Sequence, residues 1–208
     1  MSDAERATDP IAALVAADEG VQLVAVASDG TAGVEQAGRA DSGVVLPGSF
    51  NPLHEGHLQL AAVAAEIVGA EASFELSVTN VDKPPLADAE VRRRLAQFRD
   101  DGRVLLTRAP TFVEKARLLP GRTFVIGWDT AVRLVHPRYY DGSEPAMLAA
   151  LAEMQALDCH VLVAGRINEG SFETLDDVDV PAEATALLAA IPESRFRVDI
   201  SSTALRGG

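Results

Sequence analysis

Two stretches of the chain carry side chains whose types and spacing suit phosphate chemistry. The first is Pro47-Gly48-Ser49-Phe50-Asn51-Pro52-Leu53-His54-Glu55-Gly56-His57. It follows a short apolar run, Gly43 to Pro47, and precedes a segment with the apolar period of a helix. Gly48 permits close backbone approach, and a helix opening here directs unpaired N–H groups and a positive dipole end outward. His54 and His57 stand three apart, so on a helix they share one face above that anion site. The zinc-protease pattern needs histidines four apart, so metal ligation does not fit this pair. One lone histidine is ordinarily structural. Here two of the chain's four histidines flank a glycine directly after a Gly-Ser-Phe-Asn-Pro turn. The expected site is an oxyanion and phosphate pocket with two imidazoles above it.

The second stretch is Ile200-Ser201-Ser202-Thr203-Ala204-Leu205-Arg206. Alone, its hydroxyl residues read as a helix cap. Its arginine keeps its charge and offers a planar fork of donors suited to phosphate oxygens.

Positioning these stretches calls for a sheet. Residues 9–18 read as a short helix with Pro10 in its first turn, Val21–Ser28 as a strand and 29–42 as a connector. Strands are expected at 43–47, 74–79, 104–107, 123–126, 160–164 and 196–198, and helices at 57–68, 88–98, 111–118, 144–157 and 182–190. The helix after His57 has a core-facing stripe of Leu58, Leu60, Ala61, Ala64 and Ile67. Continuous apolar strands alternating with helices imply an α/β fold, a Rossmann-like parallel sheet with helices on both faces. Ligands in such sheets bind beyond the carboxyl ends of the strands, where the topology switches.

The 208 residues suit one such domain, residues 43–208, with residues 1–42 as an N-terminal extension. A net charge of −13 argues against nucleic-acid or anionic-membrane binding, both of which need a basic face. A lone cysteine, Cys159, cannot form an internal disulfide and favours a reducing, cytoplasmic setting. The N-terminus lacks the pattern of a signal peptide, and no apolar run approaches the ~20 residues of a membrane span.

Taken together, the first stretch resembles the HxGH signature of the nucleotidylyltransferase superfamily. Gly48 to Pro52 resembles the opening of nicotinamide mononucleotide adenylyltransferases. The resemblance implies that the backbone of Gly48, Ser49 and Phe50 and both His54 and His57 contact nucleotide phosphates. Class I aminoacyl-tRNA synthetases share a related motif, but they carry a lysine-rich second one. This chain has only Lys83 and Lys115. Ile200 to Arg206 resembles the ISSTxxR element of the same superfamily. By that match Ile200, Ser201, Ser202 and Thr203 bind the β- and γ-phosphates, and Arg206 neutralises charge at the α-phosphate and leaving group. The chain ends two residues after Arg206, where the family continues into a helix.

The middle of the chain resembles the family more loosely. Gly127-Trp128-Asp129 is similar to a strand-end Gly-Ala-Asp element, which implies that Gly127 and Asp129 approach a ribose. Asp129 is equally a helix N-cap, and Trp128 is either core or a ring-stacking residue. His136-Pro137-Arg138-Tyr139-Tyr140 resembles a Pro-Lys-Trp-Tyr stretch of nicotinate mononucleotide adenylyltransferases, with Tyr139 at the position that stacks on the pyridine ring. Lys83 resembles a phosphate-reaching loop lysine, Arg94 is a weaker acceptor-binding candidate, and Arg166 matches an arginine near the nucleobase.

The implied activity is transfer of a nucleoside monophosphate, AMP from ATP before CMP from CTP, to a small phosphorylated acceptor with release of pyrophosphate. Mg²⁺ is the expected cofactor, held mainly by the nucleotide phosphates rather than by protein ligands. The favoured acceptor is a nicotinamide or nicotinate mononucleotide. Pantetheine phosphate, or a CTP-dependent reaction on an alcohol phosphate, stands as the alternative. A non-catalytic nucleotide-binding module and an ATP hydrolase are the readings from other classes. A homo-oligomer is compatible with all of them.

Overall fold

The computed structural model of the chain describes residues 9–197, apart from 18–19, 82–83, 100–101 and 169. Ile200 to Arg206 and Lys83 therefore lie outside the described residues. Among those described, six α-helices and ten strands follow in the order α1 (Pro10–Ala16), β1 (Leu23–Val26), β2 (Ala32–Val34), β3 (Gly43–Pro47), α2 (Glu55–Val68), β4 (Ala72–Ser77), α3 (Asp88–Leu95), β5 (Arg103–Thr107), α4 (Phe112–Leu118), β6 (Arg122–Gly127), α5 (Trp128–Leu134), α6 (Glu144–Ala156), β7 (His160–Ala164), β8 (Arg166–Asn168), β9 (Ser171–Glu173) and β10 (Leu188–Ile191).

Eight strands form one sheet in the order β10-β7-β6-β3-β4-β5-β1-β2, while β8 and β9 form a separate hairpin. All pairings from β10 to β5 are parallel. The strands are buried on both faces because successive side chains point opposite ways. Val44 and Leu46 enter one core with Leu60, Ala61 and Ala64 of α2 and Val91 of α3. Val45 between them enters the other core, with Ala116 of α4, Leu134 of α5 and Met147 and Leu151 of α6. Helices α1 to α3 thus cover one face and α4 to α6 the other. This is the Rossmann-like arrangement expected from the apolar runs.

The chain winds outward from β3 through β4 to β5, then returns to lay β6 on the other side of β3. The topology therefore switches between β3 and β6, where an α/β sheet opens a crevice beyond its strand ends. Both carry functional candidates, and they are direct neighbours, with Val45 opposite Phe124.

Several local expectations are corrected. The segment 182–190 is not a helix: a 3₁₀ turn at Ala182–Ala184 leads into β10, which pairs with β7. Alanine-rich helix propensity yields there to burial of Leu188 and Ile191 at the sheet edge. The connector 29–42 contains β2, which pairs antiparallel with β1, itself antiparallel to β5. No strand runs through Phe196 and Arg197, the described part of the strand expected at 196–198. Ile67, assigned to the core stripe of α2, is 38% exposed.

Candidate active site

Strand β3 ends at Pro47, and the ladder continues one step as Gly48 N–H donates to Glu75 C=O at 2.9 Å. The chain then turns sharply through Ser49 to Leu53 into α2. A Cβ on Gly48 would lie 2.7 Å from the Phe50 ring, which is buried and cannot give way cheaply. Only glycine fits. Phe50 itself takes φ +45°, a left-handed conformation rare for a bulky residue. Its ring holds the turn down, packing edge-on against Phe74 and Phe98 at centroid distances of 5.6 and 5.0 Å.

From the other side, α3 and the turn after it grip the backbone. Arg94 donates to Ser49 C=O at 2.8 Å, and Gln97 donates to Phe50 C=O at 2.9 Å. The Ser49–Phe50 and Phe50–Asn51 peptides are trans, so tying their carbonyls toward α3 turns the N–H groups of Phe50 and Asn51 the opposite way. Neither N–H has an acceptor among the described residues. Such paired free amides beside a helix start form an anion-binding surface.

His54 is the N-cap of α2 and His57 lies in its first turn. Their rings stack at 3.8 Å between centroids. Helix geometry places them together as their spacing predicts. The His54 N–H donates to His57 Nδ1 at 3.3 Å. A neutral His57 ring then carries its proton on Nε2 and presents a donor. Burial first, and the neighbouring His54 second, lower the His57 pKa from 6.5 to about 4, and burial also lowers that of His54. Near neutral pH the pair therefore offers dipoles and N–H donors rather than net charge.

This shift has a consequence for stability. An unfolded histidine titrates near 6.5 and folded His57 near 4, so the unfolded state binds more protons between these values. Folding stability therefore falls as pH drops through that window and levels off below it. We expect His57→Asn to flatten this slope in urea-unfolding curves recorded from pH 7 to pH 4. An unchanged slope would show that the imidazole does not titrate as its burial dictates.

A cavity of about 200 Å³ opens beside the turn, lined by Gly48, Ser49, Asn80, Arg94, Phe112 and Lys115 among others. Beneath it lies a buried ion pair that the sequence reading missed. Lys115 donates to both Glu75 carboxylate oxygens at 2.9 and 2.8 Å and to Ala109 C=O at 2.8 Å, and Thr107 Oγ1 donates to Glu75 at 2.5 Å. All three ammonium protons have acceptors. The available signal was a glutamate inside the apolar strand Phe74-Glu75-Leu76, in a chain with only two lysines.

Strand β6 ends at exposed Gly127, and Trp128 and Asp129 open α5. Asp129 makes an ion pair with Arg166, which follows the carboxyl end of neighbouring β7. Two candidates far apart in sequence thus meet across adjacent strands. Trp128 packs against the second core cluster, and its buried indole N–H has no partner among the described residues. Tyr139 is 55% exposed and lies edge-on to the His136 ring, whereas Tyr140 anchors its hydroxyl on Leu134 C=O at 2.8 Å. Arg94 commits Nε to Glu90 and Nη1 to the turn, while still lining the cavity. Among the described residues no group of three or more His, Cys, Asp or Glu could hold a metal ion, and no helix is long and apolar enough to cross a membrane.

The sheet thus brings the His54–His57 pair and its turn, Gly127 to Asp129, and Arg166 to the carboxyl ends of three neighbouring strands. No curated protein gives a significant match to the chain. The model of the family described as cytidylyltransferase-like matches residues 45–208, from the middle of β3 through the second motif. That family includes nucleotidylyltransferases such as the nicotinamide and nicotinate mononucleotide adenylyltransferases, which act on a nucleoside triphosphate and a phosphorylated acceptor. On this match and this fold, the chain belongs to the cytidylyltransferase-like family of nucleotidyltransferases.

Proposed function

We propose that the chain transfers AMP from ATP to a mononucleotide acceptor of the nicotinamide or nicotinate type. The observation that carries this reading is the stacked histidine pair at the start of α2, set over a turn whose amides face outward, at the switch point of the sheet. An oxygen of the acceptor phosphate attacks the α-phosphorus of ATP in line. A new P–O bond forms as the bond to the β-phosphate oxygen breaks, and pyrophosphate leaves with that electron pair. Such chemistry needs no covalent enzyme intermediate, and catalysis rests on positioning and charge stabilisation.

In this reading the free amides of Phe50 and Asn51, in the turn that Gly48 opens, and the Nε2–H of His57, with His54 stacked on it, receive the α-phosphate and its developing charge. Gly127 and Asp129 approach the ribose, with Arg166 orienting the Asp129 carboxylate beside the base. Ile200, Ser201, Ser202 and Thr203 take the β- and γ-phosphates, and Arg206 and Lys83 supply the positive charge. Tyr139 and Trp128, with Arg94 at the cavity, belong to the acceptor side. Mg²⁺ would arrive with the triphosphate as part of the substrate and would offset the negative charge of its phosphates.

The path of the chain supports the convergence of the two motifs. Arg195 donates to Glu66 of α2 at 2.8 Å, and Phe196 packs against the core that α2 covers. From Glu66 back to His54 the helix rises roughly 18 Å at 1.5 Å per residue. Ser201 lies six positions beyond Arg195 in the sequence, and extended chain covers roughly 20 Å over that number of steps. The second motif is within reach of the first.

The test is to incubate the full chain with Mg²⁺, ATP or CTP, and a panel of phosphorylated acceptors, and to assay pyrophosphate. We expect pyrophosphate that depends on ATP and on a pyridine mononucleotide. Pyrophosphate with CTP or pantetheine phosphate would reassign donor or acceptor. Orthophosphate alone would indicate hydrolysis, and binding without product a nucleotide-sensing module.

A further inference from the structure

We propose that Gln97 is a positioning residue of the nucleotide site: its side-chain amide locks the phosphate-binding turn in the shape that presents the Phe50 and Asn51 amides. This rests on the nucleotidyl-transfer reading above and adds to it a residue on a different element.

The geometry is specific. Gln97 lies in the 3₁₀ turn Ala96–Phe98 that continues α3. Its Nε2 donates to Phe50 C=O at 2.9 Å, and its Oε1 accepts from Leu53 N–H, also at 2.9 Å. The one amide therefore bridges the turn from its third residue to its sixth, counting from Gly48. Its second N–H goes to Arg94 C=O at 3.2 Å, which fixes the amide on its own helix. A carboxylate could satisfy Leu53 but would set an acceptor against the Phe50 carbonyl, and an ammonium could not accept at all. Asparagine is one methylene too short.

The surrounding contacts make α3 a jig for this turn. The next residue, Phe98, holds the Phe50 ring edge-on. Arg93 donates to Asn51 Oδ1 at 2.6 Å and Arg94 to Ser49 C=O. Glu90 orients both arginines, and hydrogen bonds from Arg93 and then Arg94 push its carboxyl down to about 2. Arg92 ties α3 to Asp9, the N-cap of α1, at 2.5 Å. Residues outside the matched family segment thus brace the element that shapes the site.

The turn needs such bracing. Phe50 occupies a left-handed conformation, and an unheld carbonyl could rotate its peptide and withdraw the following N–H from the ligand. In Gln97→Glu the leucine bond survives while the carbonyl bond becomes a repulsion. The expected defect is in binding the triphosphate, and not in contacts the acceptor makes elsewhere.

Calorimetric titration of the full chain with Mg-ATP, with CTP as a second probe, tests this. Loss of one well-made hydrogen bond and its alignment predicts about tenfold weaker triphosphate binding in Gln97→Glu and Gln97→Ala. In turnover assays the KM for triphosphate should rise by the same factor while the acceptor KM stays within twofold, a split that loss of stability alone does not produce. Arg99→Ala, at the end of the same turn and without a hydrogen bond or ion pair to the described residues 48–53, should bind as the parent does. Triphosphate affinity unchanged in both Gln97 variants would overturn the assignment. If the parent chain binds neither triphosphate, the transfer reading falls first and this assignment with it.

Discussion

Replacing His57 with alanine should lower turnover by about 10²–10³-fold, equivalent to roughly 2.7–4 kcal/mol of transition-state stabilisation, while the chain stays folded. The His57 Nδ1 accepts from the His54 backbone, so the neutral ring keeps its hydrogen on Nε2. Burial holds the ring neutral by lowering its pKa to about 4. A preorganised neutral donor costs no reorganisation when negative charge grows on the α-phosphate, and alanine leaves nothing in its place. The loss should fall on turnover more than on substrate affinity, because the bond strengthens as charge develops. Folding should persist because α2 is held by Leu60, Ala61 and Ala64, on the far side of its first turn. Steady-state rates with circular dichroism check both halves. Turnover within threefold of the parent would remove His57 from the mechanism.

Removing Lys115 alone should cost about 3–5 kcal/mol of folding stability, because it leaves the Glu75 carboxylate buried and uncompensated. Both side chains are almost wholly buried, and the pair lies where β4 and β5 end, directly under the site cavity. Ammonium, carboxylate and the Thr107 hydroxyl satisfy one another, so the arrangement is stable only as a set. We expect Lys115→Met to shift the urea midpoint sharply downward. The double variant Lys115→Met with Glu75→Leu should recover most of the loss, since apolar replacements of similar volume tolerate burial. A single variant as stable as the parent would show that water or a neutral carboxyl relieves Glu75. Because the Glu75 carbonyl also receives the Gly48 N–H, the single variant should weaken triphosphate binding as well.

Much of this organisation was legible in the sequence where the signal is local. Val44-Val45-Leu46 is apolar without alternation, which only a strand covered on both faces tolerates, and it proved to be the central strand. The histidine spacing at a helix start gave their shared face, and the structure adds that the two rings stack. Helices α4 and α6, expected at 111–118 and 144–157, start within one residue of those bounds, behind the N-caps Thr111 and Ser143.

The rest depends on contacts that no window of sequence contains. Residues 182–190 have strong helical propensity, and only the unsatisfied edge of β7 turns their end into a strand. The three residues of β2 are too short and too small to announce themselves between glycines. Arg94, read as a candidate for the acceptor, directs its guanidinium to Ser49 C=O, a partner 45 positions away. Gln97 and the Glu75–Lys115 pair escaped notice for the same reason. Their partners lie 40 or more positions distant, and a glutamine between apolar residues carries no pattern of its own.

The most direct test of the central claim is a crystal structure of the full chain with Mg²⁺ and a non-hydrolysable ATP analogue. One triphosphate should lie over the start of α2, with His57 Nε2 and the Arg206 guanidinium both within about 2.7–3.1 Å of its oxygens. A triphosphate bound elsewhere, or Arg206 on the opposite side of the sheet from His57, would contradict it.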